Sequence, residues 1–377
     1  MSEALLVCVV LAVIYLLECV TWGPAEACAF HARPRGAWRK ATELFALMDD
    51  HWRAWSGSIV PGGGGVAWAE SRHMALSPSG VCACGSQSRG TSIPYERLGR
   101  IHTRGRALRA DSRTLGHAAT ASRAKQLAAL VERLSSVDRE SRATLIEADL
   151  AGTLDVRRAR RALRRYRWAA QALVWPERVL ALSMFVLLPA ALLMRGFRSA
   201  WPESLLTLAL TWFVTVLYVV RMRRLARTPM ASGTGTSISD HALTMFLAPP
   251  AAIRADDAIA REAFPGLHAI AVARAAGSPT TGRDTASDAL RELRFPLESE
   301  RTACCEASAW SREAWERILR TWVRREFGSV EPLLAPPARE TGSVRSYCPR
   351  CLSQYTREGG DCDGCPGVRL VGFESTA

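Results

Sequence analysis

Four cysteines near the C-terminus have the spacing of a metal site: Cys348-Pro349-Arg350-Cys351, ten residues, then Cys362-Asp363-Gly364-Cys365. Each Cys-x-x-Cys turn aims two thiolates at one point, so two such turns complete a tetrahedral four-sulfur shell. Thiolates in this number select zinc first, with iron or a redox-active dithiol as the alternatives. A shell closed by four protein ligands leaves no open position, which argues for structural rather than catalytic metal. Gly359-Gly360 can reverse the chain between the turns, and 368–373 can supply a further strand.

The other reactive residues form weaker patterns. Cys82-Ala83-Cys84 lies near His73, but a strand would send the two thiols to opposite faces. Cys304-Cys305 reads as packing on a helix rather than as a redox pair. Seven histidines are scattered without metal-ligand spacing. Gly62 to Gly65 lacks the lysine and hydroxyl residue of a phosphate-binding loop. No nucleophile elbow, dinucleotide fingerprint or kinase set is present, so no catalytic residue is assigned. The chain has eleven cysteines in irregular arrangement, which suits a reducing cytoplasm better than a secreted disulfide framework.

The segment 348–373 resembles the zinc ribbons found at the ends of many bacterial proteins. That resemblance implies a structural Zn2+ held by Cys348, Cys351, Cys362 and Cys365. The sequence departs from the commonest knuckle at Leu352, where glycine usually follows the second cysteine, while Gly367 falls near the equivalent place in the second turn. Arg350, Arg357 and Arg369 face four carboxylates, Glu358, Asp361, Asp363 and Glu374, for a net charge of −1 from Cys348 onward. Such a surface is a poor match for a phosphate backbone, so protein contact or simple stabilisation is expected.

Elements that must position this site begin at a membrane. Ala4 to Leu17 is an unbroken apolar run, and the span continues past Glu18 to Trp22. Nineteen helical residues reach about 28 Å, close to the hydrocarbon thickness. Arg33, Arg35, Arg39 and Lys40 follow the run and no basic residue precedes it, the reverse of a signal peptide. Glu18 lies one turn from the inner end, where it can snorkel or pair with arginine. Two further spans form a hairpin, 175–195 and 201–221, each opening Trp-Pro-Glu, with Pro189 expected to kink the first. Arginines at 157–167 and 221–227 flank the hairpin, against only Arg195 and Arg198 between the spans. The positive-inside rule then puts the N-terminus and the Met194–Trp201 loop in the periplasm and the soluble parts in the cytoplasm. These arginines also account for most of the net charge of +13, so nucleic acid is not needed to explain it.

The expected chain is therefore an α+β integral protein of a bacterial inner membrane. A transmembrane helix at 3–22 leads through a linker, 23–65, to a β-rich domain at 66–135. Helices at 136–170, arginine-rich near the bilayer, precede the two spans; a linker at 228–240 precedes a mostly helical cytoplasmic region at 241–340, and the ribbon occupies 344–377. Within 66–115 the candidate strands are Val66–Ala69, Ala75–Leu76, Val81–Cys84, Ser92–Ile93, Leu98–Thr103 and Ala107–Ala110, with a turn at Arg104-Gly105. Ser-Ile-Pro-Tyr-Glu-Arg-Leu-Gly-Arg-Ile, the strand pair after it and a helix at Ser122–Leu134 resemble the later half of a bacterial pleckstrin-homology-like domain. That resemblance implies a small barrel capped by a helix that holds lipid or protein near the membrane. The arginine helix from about Asp155 should lie along anionic lipid through Arg157–Arg167. A helix starting at Ser311 as N-cap and stopping at Gly328 places Trp315, Ile318, Leu319, Trp322, Val323 and Phe327 on one core-facing side.

These parts describe a membrane-anchored scaffold or regulatory adaptor with protein partners. A membrane-bound enzyme, or subunit of one, with its site in 241–340 is the alternative, and a membrane-tethered nucleic-acid binder is the third reading.

Overall fold

A computed structural model of the chain describes residues 5–10, 74–83, 91–105, 107–111, 113–117, 121–196, 199–226, 235–247, 252–253, 255, 259, 266–275, 277, 279–297 and 306–373. The spans and their neighbours (described residues of 5–10, 121–125 and 157–265) make one compact unit; those of 74–117, 126–156 and 266–373 make the other. Most of the expected first span, the linker 23–65, the candidate strand Val66–Ala69, Cys84 and Cys304-Cys305 lie outside the described residues.

In the membrane-type unit, α3 (Val156–Gln171) leads into α4 (Val174–Leu182), a π-helical turn at Ser183–Leu187 and α5 (Leu188–Arg195). The π turn has a local cause. Pro189 lacks an N–H and its ring crowds the carbonyl four residues back, so the chain widens one turn before it. Gly196, at φ 76°, ends the helix with its N–H on the Leu192 carbonyl at 3.0 Å. The chain then turns into α6 (Trp201–Ala226). The helices Trp175–Arg195 and Trp201–Leu225 are long and apolar enough to cross a membrane. Only 39% and 33% of their most apolar windows are buried, unlike the core helix of a soluble domain.

Polarity in this hairpin is inverted. Val179, Val186, Leu193, Leu206, Phe213 and Val216 are exposed, while Ser183, Thr207, Thr211 and Thr215 are buried. The Ser183 and Thr207 hydroxyls share a 2.8 Å hydrogen bond, and Thr207, Thr211 and Thr215 each donate to the carbonyl four residues earlier at 2.8 Å. Those four hydroxyls are satisfied inside the helix pair. Val7 and Cys8, on the helical stretch 5–10, pack against Ala191, Leu192 and Ala200 beside the hairpin's turn. The described part of the N-terminal apolar segment therefore lies at the end of the hairpin that carries its turn. At the opposite end the Arg221 guanidinium stacks 4.7 Å over the Trp168 ring.

One segment differs from its sequence reading. The stretch 228–240, expected as a linker, becomes helical at Gly235, in α7 (Gly235–Leu247), which packs along α6. Ile238 and Met245 are buried there, so tertiary contact overrides the weak helix propensity of Gly, Thr and Ser.

The second unit holds two antiparallel three-stranded sheets in simple sequence order: β1 (Met74–Ser77), β2 (Gly80–Ala83) and β3 (Thr91–Ile93); then β4 (Ile101–Arg104), β5 (Ala107–Ala110) and β6 (Arg113–His117). The predicted turn at Arg104-Gly105 is present, with Gly105 at φ 58°. Gly80 is required by a close approach: a Cβ there would stand 2.3 Å from the Ile93 carbonyl oxygen. Strand β6 escaped the sequence reading because Leu115 is its only large apolar side chain. Helix α1 (Ala121–Ser135) follows where a helix at Ser122–Leu134 is expected; Leu127, Val131 and Leu134 are buried and Leu130 is half-buried.

The helical region 241–340 does not form a separate body. From 266 onward it joins the strands, with α8 (Ala269–Ala275), α9 (Pro279–Arg294), α10 (Glu306–Phe327) and α11 (Glu331–Leu334) in the same unit. Helix α10 packs on β1 and β2, and α2 (Arg139–Thr153) packs on both α10 and β1. Ser311 is not the N-cap. It sits more than a turn inside α10, buried, and its hydroxyl donates to the Leu76 carbonyl of edge strand β1. An edge strand lacks a partner strand for its outer carbonyls, and a helix serine fills that need. Trp315, Leu319, Trp322 and Val323 are buried as expected, and the Trp322 indole donates to the Leu154 carbonyl at 3.0 Å. Gly328, at φ 84°, stops the helix where predicted.

Arg142 on α2 is the main polar strut. Its guanidinium reaches the Leu134 carbonyl at 2.8 Å, the Pro78 carbonyl at 3.4 Å and Glu96 at 2.9 Å, and stacks 4.7 Å from the centre of Tyr95. The buried Tyr95 hydroxyl in turn donates to Ser77 at 2.8 Å, and burial pushes its pKa up. No sequence pattern marks this arginine among so many.

Candidate metal centre

Five short strands build the C-terminal site. Strand β7 (Ser346–Tyr347) pairs with β8 (Gln354–Tyr355) and β11 (Val371–Gly372), while β9 (Asp361–Cys362) pairs antiparallel with β10 (Cys365–Arg369). The first Cys-x-x-Cys turn leaves β7 and the second joins β9 to β10, so the register Cys362↔Cys365 sets both thiols of the second turn side by side. In the first turn, Cys348 donates its N–H to Ser353 at 2.9 Å and Leu352 donates to the Cys348 carbonyl at 2.8 Å. The Cys351 N–H points at the Cys348 sulfur, 3.5 Å away.

All four predicted ligands converge: their sulfurs lie within 4.8 Å of one another. The Cys351 and Cys362 sulfurs are 3.6 Å apart, and a tetrahedron with bonds of about 2.3 Å has edges of about 3.8 Å. The donor set therefore fits one tetrahedral ion. Cys348, Cys362 and Cys365 are buried and Cys351 half-buried, in a small core with Val368 and Leu370. Phe295 and Leu297, from the chain after α9, pack on that core, and Arg350 donates to the Phe295 carbonyl at 3.2 Å. The ribbon is thus docked on its own unit.

Protonation in the metal-free chain follows burial and hydrogen bonding. Burial pushes the Cys348 thiol up to about 11 and raises Cys365 further. Burial also opposes ionisation of Cys351, but hydrogen bonds from Ser353, Cys348 and Cys362 outweigh it and bring that thiol down to about 7. The Tyr355 hydroxyl lies 3.1 Å from the Cys362 sulfur, and that contact raises the phenol to about 12. Sequence reading missed Tyr355 and Ser353 as supports; their places close after the first turn are the available signal.

Leu352 is the departure that matters. It stands at φ 61°, in the left-handed region, at the place where ribbons usually carry glycine. A β-branched residue is worst there and glycine is free of the penalty. Leu352→Val should lose metal to a chelator more readily, because a β-branched side chain adds to the left-handed strain of about 1–2 kcal/mol that leucine already bears. Leu352→Gly should hold metal at least as well as the parent, and the reverse order in a chelator competition would remove the strain argument.

The second cysteine candidate gains no support. Cys82 is buried on β2 and disulfide-bonded, its partner lying outside the described residues. A disulfide there runs against the reducing surroundings inferred from cysteine placement.

No protein-family model, no curated protein and no solved structure matches this chain.

Proposed function

We propose that the chain is a three-span protein of a bacterial inner membrane that works as a non-enzymatic scaffold or regulatory adaptor. The observation carrying the membrane reading is the inverted hairpin, apolar outward and hydroxyl-bearing inward. The N-terminus and the Met194–Trp201 loop are periplasmic and both large soluble parts cytoplasmic, on the strength of the arginine asymmetry. Helix α3 lies on the inner leaflet: Ala159, Ala162, Leu163 and Tyr166 are buried while Arg160, Arg161 and Arg164 are exposed toward anionic lipid. The metal is structural zinc, since four buried or half-buried thiolates leave no position for a substrate. The pleckstrin-homology-like reading of the strands rests on their order before α1.

Among the described residues nothing favours the enzyme reading as strongly. A shallow cleft of about 390 Å³ near Ser77, Arg139, Glu140 and Trp310 draws only Trp310 from 241–340, and contains no nucleophile paired with a base. Reporter fusions after Lys40 and Thr228 should both behave as cytoplasmic. A periplasmic signal from either fusion overturns the orientation, and an adaptor with no near-stoichiometric protein partner in native membranes is untenable.

A further inference from the structure

Helix α7 lies against a span, and its polarity is graded along its axis rather than around it. Its first half reads Gly235-Thr-Ser-Ile-Ser-Asp-His241 and its second Ala242-Leu-Thr-Met-Phe-Leu247, followed by Ala248-Pro249-Pro250. Soluble amphipathic helices carry an apolar stripe along their whole length. A helix entering a bilayer end-on needs this axial gradient instead. Leu243 is 60% and Leu247 71% exposed, and Phe246 is exposed as well, so the apolar end is not covered by protein among the described residues.

Depth follows from one contact. The Phe246 and Trp212 ring centroids are 4.1 Å apart. Trp212 stands fourteen residues before the end of α6 at Ala226, about 21 Å along the helix from its arginine-bearing end. If α7 ran parallel to α6, Gly235 would fall about 37 Å from Ala226, whereas nine chain steps reach at most about 32 Å. Helix α7 therefore runs antiparallel to α6, back from the arginine end to the middle of the span.

Resting on the membrane reading above, we propose that α7 is a re-entrant membrane helix. It enters from the arginine-bearing face, and its described end at Leu247 lies near mid-bilayer, two residues before the sequence Pro249-Pro250, which disfavours helix. Leu243, Phe246 and Leu247 face lipid acyl chains. The occupant is identified by continuity: Trp212, Phe213 and Val216 of α6 are exposed at the same depth, and Trp212, itself half exposed, meets Phe246 across the two helices. Both α6 and α7 belong to one unit.

The test introduces photo-reactive p-benzoylphenylalanine at single sites in the full-length protein in native membranes. Sites are Leu243 and Leu247 on α7, Val216 on α6 and Arg97 in the soluble unit. Irradiation followed by mass spectrometry of the protein should find phospholipid adducts at 243, 247 and 216 and none at 97. Lipid adducts at 216 without any at 243 or 247 overturn the re-entrant helix and leave the spans standing. Adducts between two copies of this chain at 247 overturn it too, because the apolar end would then be a dimer surface. Absence of lipid adducts at 216 as well removes the membrane reading and this inference together.

Discussion

Cys362→Ser should release the bound metal and loosen 345–373 while leaving the hairpin in the membrane. The ribbon core holds Val368, Leu370, Tyr355 and the sulfurs themselves, backed by Phe295 and Leu297. So little apolar mass cannot fix some thirty residues, so metal binding must supply the difference. Structural zinc binding of this kind is worth about 10–16 kcal/mol, and a serine hydroxyl does not replace a thiolate. Loss of one ligand in four should weaken retention by at least about a hundredfold. Metal per chain should fall from one toward zero, with faster amide exchange confined to the ribbon. Unchanged metal content, or a metal-free parent protein, defeats the assignment. Retention should also depend on pH. Cys348, raised to about 11, and Cys365, raised further, are protonated at neutral pH, and half of Cys351 is too at about 7. Binding must expel at least two protons, so affinity should rise by about two decades or more per pH unit near neutrality.

Trp315→Ala should destabilise the strands as much as the helix that carries the residue. Trp315 is fully buried in α10, its ring 5.0 Å from that of His268, and α10 covers β1 and β2. Truncating a buried tryptophan costs about 3–5 kcal/mol because the surroundings only partly collapse into the space. Amide exchange in 74–83 should therefore accelerate about a hundredfold or more, together with that of 306–327. If the strands keep their protection while α10 alone loosens, they are an independent domain, and the interleaving of β1–β6 with the C-terminal helices has no energetic content.

Elements with a single strong period were legible. Leu127, Val131 and Leu134 marked α1 to within a residue or two, and Trp315, Leu319, Trp322 and Val323 marked the buried face of α10. The metal cluster was legible because its ligands sit in two local turns, each defined by four residues. Strand β6 was not, since Arg113-Thr-Leu-Gly-His117 alternates too weakly to show a face. Helix α7 was hidden by its Gly, Ser and Thr residues, which signal a linker whenever local preference alone is weighed.

The sequence by itself determined the four cysteine ligands, the two long apolar helices, the π turn's cause at Pro189 and the stop at Gly328, because each follows from neighbours a few residues apart. Only the tertiary structure decided that α10 seals strands more than two hundred residues earlier, that Ser311 serves an edge carbonyl rather than a helix end, and that Arg142 ties α2 to a hairpin turn. It also decided that α7 folds back along α6. Each of those depends on which apolar face finds which, and burial is non-directional, so no local pattern records the partner.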